Sequence, residues 1–112
     1  MPFELLEPHA VTSGAVFASP HSGRDYPADL VSRTVLDRLA LRSSEDAFVD
    51  RLIVDAPRLG APLLLARTPR AYVDLNRSAD ELDPAIVEGV RRVVHNPRVT
   101  SGLGVIPRVV AN

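Results

Sequence analysis

Two short apolar runs bounded by Gly and Pro constrain the fold most: Gly14-Ala15-Val16-Phe17-Ala18-Ser19 and Pro62-Leu63-Leu64-Leu65-Ala66. Each is brief, apolar and punctuated, so each reads as a strand buried in a sheet. The sequence between and after them reads as helix, loop and strand in turn. Ser32 is a candidate cap for a helix through Val35, Leu36 and Leu39. Ser43 or Ser44 is a candidate cap for a second, with Phe48, Val49, Leu52, Ile53 and Ala56 at helical spacing and Pro57 and Gly60 at its end. Residues 71–75 alternate like a third strand. Residues 21–29, 76–84 and 96–104 read as loops. Pro84 can open a helix through Ile86, Val87, Val90, Val93 and Val94, and residues 105–110 supply a last strand. The alternation predicts an α/β fold, a layered sheet with flanking helices.

Composition narrows the function classes. At 112 residues the chain is one domain at most, and with 46% hydrophobic but only 4% aromatic residues its core must be aliphatic. The net charge of −1 offers no bulk attraction to nucleic acid or to an anionic membrane. All 13 basic residues are Arg, which a GC-rich coding bias explains without invoking function. The absence of Cys excludes a disulfide framework and a Cys-ligated zinc site. No apolar run approaches the roughly 18 residues of a membrane span. Met1-Pro2-Phe3-Glu4 lacks the basic start and apolar core of a signal peptide, so a cytoplasmic location is the default. The last residues, Val105 to Asn112, are still apolar, as expected either for an edge strand or for a piece of something longer.

The chemistry-bearing residues sit at expected strand ends, where α/β sheets bind ligands. His21 follows the first run in a Pro/Gly turn, Asn76-Arg77 follow residues 71–75, and Glu45-Asp46 open the second helix. A His, a carboxylate and an Arg fork in one crevice would suit a metal with an anionic small molecule held against it. Plainer readings stand beside this one. A turn His can simply hydrogen-bond, and Glu45-Asp46 is what a helix dipole favours without metal. Asp74 can pair with Arg70 or Arg77, Asp80-Glu81-Leu82-Asp83 can be a solvated loop, His95 can end a helix, and His9 has no supporting context.

Several blocks in order resemble the N-formylglutamate amidohydrolase family: Val16-Phe17-Ala18-Ser19-Pro20-His21-Ser22-Gly23-Arg24-Asp25-Tyr26-Pro27, Ser44-Glu45-Asp46-Ala47-Phe48-Val49-Asp50-Arg51-Leu52, and Pro69-Arg70-Ala71-Tyr72-Val73-Asp74-Leu75-Asn76-Arg77 with Glu81-Leu82-Asp83-Pro84. Gly102-Leu103-Gly104-Val105-Ile106 and Arg108-Val109-Val110-Ala111-Asn112 resemble the region that follows. The resemblance implies a fold like that of zinc-dependent exopeptidases and deacylases. It also implies hydrolysis of N-formyl-L-glutamate to glutamate and formate, late in histidine breakdown. It assigns His21 and Asp46, with Glu45 as fallback, to zinc or another divalent metal. By the same resemblance Asn76-Arg77 match a pair expected to hold the carboxylate of a small anionic N-acyl amino acid and polarise its carbonyl, with Arg70 as a second anion contact.

Family members run longer than this chain and carry a later His in an Asp-Cys-His-Ser type of motif, the expected third ligand, and the general base. Neither His9 nor His95 matches that place. The resemblance therefore implies that residues 1–112 are the N-terminal part of a single domain, an incomplete one with its general base beyond Asn112. The alternatives are an amidohydrolase for another N-acyl amino acid or peptide, and a non-catalytic truncated α/β module.

Overall fold

The computed structural model describes residues 1–91 and 95–111. Strand β3 (Leu63–Ala66) lies at the centre of a three-stranded sheet in the order β1-β3-β2. β1 (Phe3–Leu6) runs antiparallel to it, with Leu5 opposite Leu64. β2 (Phe17–Ser19) runs parallel to it, with Ala18 opposite Leu64. The unbroken apolar run of β3 does form the buried strand expected of it, and Leu63 is fully buried. The run ending at Ser19 forms a strand over its last three residues only, and of these only Ser19 is buried. β1 carries no signal that sequence reading detected. Beneath one face, Leu63 and Leu65 pack with Ala56 and Ala61, and Leu6 and Ile53 close over this aliphatic core.

The long connection between the parallel strands β2 and β3 is built of brief helices rather than two long ones. α1 (Ala28–Arg33) ends where Thr34 turns extended, and α2 (Arg38–Leu41) is capped by Asp37, whose carboxylate accepts from the Ala40 N–H at 2.8 Å. Ser32 is therefore not a cap: it lies inside α1 and bonds back to the Asp29 carbonyl at 3.1 Å. Ser43 and Ser44 form a 3₁₀ turn, and α3 (Val49–Leu52) is a single turn. The helical spacing through Ala56 is not realised because Leu52 and Val54 face solvent, and a short helix without a packed face is marginal. A 3₁₀ turn over Pro57–Leu59 closes on Gly60 at φ 84, the left-handed cap the sequence announces.

Downstream, two expected strands do not form. At residues 71–75 the chain turns, with the N–H groups of Tyr72 and Val73 both returning to the Pro69 carbonyl. Residues 105–110 belong to no ladder among the described residues; Val105 instead accepts from the Asp74 N–H at 2.7 Å and donates to the Glu81 carbonyl at 2.9 Å. Pro84 begins turns rather than a helix, as Ile86 and Val87 both donate to the Asp83 carbonyl. The far end of that expected helix, Val93 and Val94, lies outside the described residues. Within the expected loop at 96–104, α4 (Pro97–Thr100) is capped by Asn96. No helix among the described residues is long and apolar enough to cross a membrane.

Parallel β2 and β3 bring their carboxyl ends side by side. The loop after β2 is then locked against the chain leaving β3: Asp25 donates its N–H to the Arg67 carbonyl at 3.0 Å, and Gly23 sits so close that an added Cβ would lie 2.2 Å from the Thr68 carbonyl oxygen. Because that obstacle is backbone, the strain cannot be relieved by a side-chain rotation. Gly23→Ala should lower stability by about 1–3 kcal/mol. Gly14→Ala, where an added Cβ meets nothing within 4 Å, should be neutral or slightly stabilising. Urea midpoints of the two variants check this; equal midpoints would contradict the close approach.

Candidate active site

The adjoining strand ends determine which side chains meet. His21 stands two residues beyond β2, and Asp74 lies in the turn that follows β3. Their side chains join in a 2.7 Å hydrogen bond between His21 Nε2 and Asp74 Oδ1, with both residues buried. Asp74 is the hub of the site. It also accepts from Arg70 Nε at 3.2 Å and from the Asn76 backbone N–H at 2.9 Å, and the Arg77 guanidinium stands 3.9 Å away. Burial alone would push the Asp74 carboxyl up. The His21 hydrogen bond, the Asn76 N–H and the attraction of His21 and Arg77 outweigh burial and hold it below the ordinary Asp value of 3.8.

A charged Asp74 fixes the chemistry of the imidazole. Its oxygen can only accept, so Nε2 of His21 carries the proton and donates. In the neutral ring Nδ1 is then left with its lone pair. That nitrogen faces Asp46, whose Oδ2 is 3.7 Å away on a side chain 51% exposed. A backbone bond from the Asp46 N–H to the His21 carbonyl, 2.8 Å long, holds the two residues in register. Two electron-pair donors facing each other at this distance invite a cation between them. Ligands sharing a tetrahedral zinc stand about 3.3–3.5 Å apart, given metal–ligand bonds of about 2.0–2.2 Å. The residues present thus fit two positions of such a metal. Among the described residues no cluster of three or more His, Asp or Glu side chains stands ready to hold one.

The other expected site residues fall on two sides. Glu45 is committed elsewhere: Arg42 grips both its oxygens at 3.0 and 3.1 Å, and the Tyr26 hydroxyl donates to it at 2.8 Å. Burial raises its carboxyl, but these bonds together bring it below the ordinary Glu value. Burial and the bond to Glu45 push the Tyr26 phenol well up. The chain turns after Asp46 at Phe48, a left-handed residue at φ 65 with the guanidinia of Arg24 and Arg51 at 5.4 and 5.1 Å from its ring. Arg77 is largely buried and braces backbone, donating to the carbonyls of Leu103 at 3.1 Å and Asn76 at 3.0 Å. Arg70 engages Asp74 through Nε only. It lines a small cavity of about 170 Å³ with Ser44, Asp74, Leu103 and Val110. The pairing of Asp74 with Arg70 or Arg77 expected from the sequence is met by both, at 3.2 and 3.9 Å, whereas its bond to His21 is an addition that the sequence does not announce. The available signal, an Asp two residues before an Asn in a Pro-initiated turn, is the pattern of a side chain that folds back onto its own backbone.

Comparison with known proteins adds to this geometry. Residues 13–112 match the family model described as N-formylglutamate amidohydrolase. The crystal structure of N-formylglutamate amidohydrolase from Ralstonia eutropha JMP134 is similar at 39% sequence identity and a TM-score of 0.84. The match covers 98% of this chain and 39% of that one, so this chain spans about two fifths of the length of that relative. No curated protein matches.

The depressed carboxyls give a stability prediction with a definite sign. A carboxyl whose folded pKa is lowered stabilises fully above its unfolded value, and that stability is lost as pH falls through the folded pKa. For Asp74 and Glu45 the loss begins below about pH 3.8 and 4.5, their ordinary values. Asp74→Asn should therefore be less stable than the wild type at pH 7, and the gap should shrink as pH falls below 3.8. Urea midpoints from pH 7 to pH 2.5 check this; a constant gap would show that Asp74 is not the charged acceptor.

Proposed function

The chain belongs to the N-formylglutamate amidohydrolase family, and on that premise we propose that it contributes the metal- and carboxylate-holding part of a site that hydrolyses the formamide bond of N-formyl-L-glutamate, giving glutamate and formate. The observation that carries the reading is the orientation of the His21 ring, with Nε2 2.7 Å from buried Asp74 and Nδ1 turned toward Asp46. A carboxylate behind a metal-binding His fixes its tautomer and raises its basicity. His21 and Asp46 would hold zinc or another divalent cation, Glu45 being already bonded to Arg42 and Tyr26. When bound, such a cation supplies Lewis-acid polarisation of the amide carbonyl and an activated water.

The remaining residues position the substrate. Arg70 bonds Asp74 through Nε and, with Asp74, lines the small cavity. Its guanidinium supplies the planar fork that a substrate carboxylate accepts at two points. Arg77 holds the turn that carries Asn76 and Asp74, and so keeps the Asn76 amide and the His21 acceptor at a fixed separation. Holding the acyl amino acid by its carboxylates places its formyl carbonyl, a contribution of orientation rather than bond making. A catalytic zinc takes three protein ligands, so the pair described here needs a third from elsewhere in the active enzyme.

The test grafts residues 1–112 in place of the matching part of the Ralstonia eutropha enzyme and measures formate release from N-formyl-L-glutamate. The graft should turn over, whereas the 112-residue chain alone with added zinc should release little or no formate. In the graft, Arg70→Lys should lower kcat/KM by about 10- to 100-fold while zinc content is unchanged, because Lys cannot reproduce the two-point fork. Near-normal kinetics for that variant would remove Arg70 from the site, and robust turnover by the isolated chain would show that the site is already complete.

A further inference from the structure

His21 and Asp46 lie in separate loops, yet the two segments that carry them are joined three times. The Asp46 N–H donates to the His21 carbonyl at 2.8 Å. The Tyr26 hydroxyl donates to Glu45 at 2.8 Å. The Arg24 guanidinium donates to Asp50 at 3.2 Å and lies 5.4 Å from the centre of the Phe48 ring. Arg24 and Tyr26 belong to the loop that follows β2 and carries His21, whereas Glu45, Phe48 and Asp50 flank Asp46 along the chain.

The side-chain ties are unequal. Arg24 and Asp50 share one bond where a guanidinium and a carboxylate can form two, and Arg24 Nη1 and Asp50 Oδ1 are buried with no partner among the described residues. Glu45 is fully engaged. Its side chain is 2% exposed, Arg42 donates to both of its oxygens at 3.0 and 3.1 Å, and Tyr26 adds a third bond. Withdrawing a donor from a carboxylate that deep leaves a buried charge short of a bond, so its place is well defined. The Glu45 backbone is extended, at φ −74 and ψ 129, and neighbouring side chains on extended backbone point to opposite sides. With Glu45 drawn inward, Asp46 is turned outward beside His21, its side chain 51% exposed. Phe48 follows at φ 65, a left-handed conformation that a bulky residue keeps only where its surroundings impose it. Asp46 therefore sits between two constrained residues.

We propose that Tyr26 is a positioning residue: its hydroxyl, acting through Glu45, sets the separation at which Asp46 faces His21, and with it the fit of that pair to a divalent cation. The proposal deepens the reading of His21 and Asp46 as metal ligands and rests on it. A ligand set works only when held within about 0.5 Å of its productive geometry. The 3.7 Å between His21 Nδ1 and Asp46 Oδ2 leaves little room to widen before one cation cannot reach both. The Tyr26–Glu45 bond ties the His21 loop to the residue next to Asp46, and so opposes that widening.

The test titrates the 112-residue chain with zinc while the nitrogen-15 shift of His21 Nδ1 is followed. His9 and His95, both exposed, report zinc on an imidazole without this frame. Tyr26→Phe removes the hydroxyl and keeps the ring. It should weaken zinc at His21 by about tenfold and leave His9 and His95 unchanged. Asp46→Ala should also weaken zinc at His21. In that background Tyr26→Phe should change the affinity by less than about twofold, because Asp46 is the group it positions. Arg42→Gln frees Glu45 from its other two bonds and gives the same readout should Tyr26→Phe fold poorly. If Tyr26→Phe lowers the urea midpoint but leaves zinc affinity unchanged, or weakens zinc equally with and without Asp46, Tyr26 is structural only; the proposal is overturned and the metal reading stands. If Asp46→Ala leaves zinc at His21 unchanged, the metal reading itself fails and the proposal falls with it.

Discussion

The structure of the site depends on one buried contact, the 2.7 Å hydrogen bond between His21 and Asp74. It joins the chain leaving β2 to the chain leaving β3, and so depends on those strands being parallel neighbours. A carboxylate this deeply buried is tolerable only if its oxygens are filled, and they are: His21 and the Asn76 N–H serve Oδ1, and Arg70 serves Oδ2. Removing any one partner leaves a buried charge short of a bond. The same contact settles which nitrogen of His21 keeps a lone pair, so a structural constraint and a chemical one are met by a single carboxylate.

The fold around that contact is thin. Its aliphatic core gathers on one side of a three-stranded sheet, and the helices among the described residues are one or two turns long. Sheets of three short strands need a packed face to persist, and short helices owe most of their stability to packing rather than to propensity. The exposed side chains of Leu5 and Leu64 and the broken helices therefore have the same physical origin. Segments whose pattern calls for burial do not find enough neighbours within the described residues.

This also explains what the sequence could and could not tell. The apolar run of β3, the Gly60 cap and the loop carrying His21 were readable because local chemistry decides them: burial, a positive φ, and Pro-Gly punctuation. The pairing of His21 with Asp46, which stand 3.7 Å apart, came from the resemblance of their sequence blocks to the family rather than from periodicity or spacing. The helical spacing from Phe48 to Ala56 misled, because periodicity states what a segment could bury and not whether a partner is present. Residues 71–75 alternate like a strand, yet turn because Asp74 folds back to accept from Asn76 and to meet His21. β1 went unread because four residues with half-exposed side chains carry almost no pattern, and only the pairing with β3 makes them a strand.

The central claim is that Asp74 holds the proton of His21 on Nε2 and leaves Nδ1 free toward Asp46. The nitrogen-15 chemical shifts of the His21 ring, measured on the neutral imidazole, test it most directly. The account predicts a protonated Nε2 and an unprotonated Nδ1, with the Nδ1 resonance, rather than Nε2, moving when zinc is added. A ring protonated on Nδ1, or a zinc-induced shift at Nε2, would contradict it.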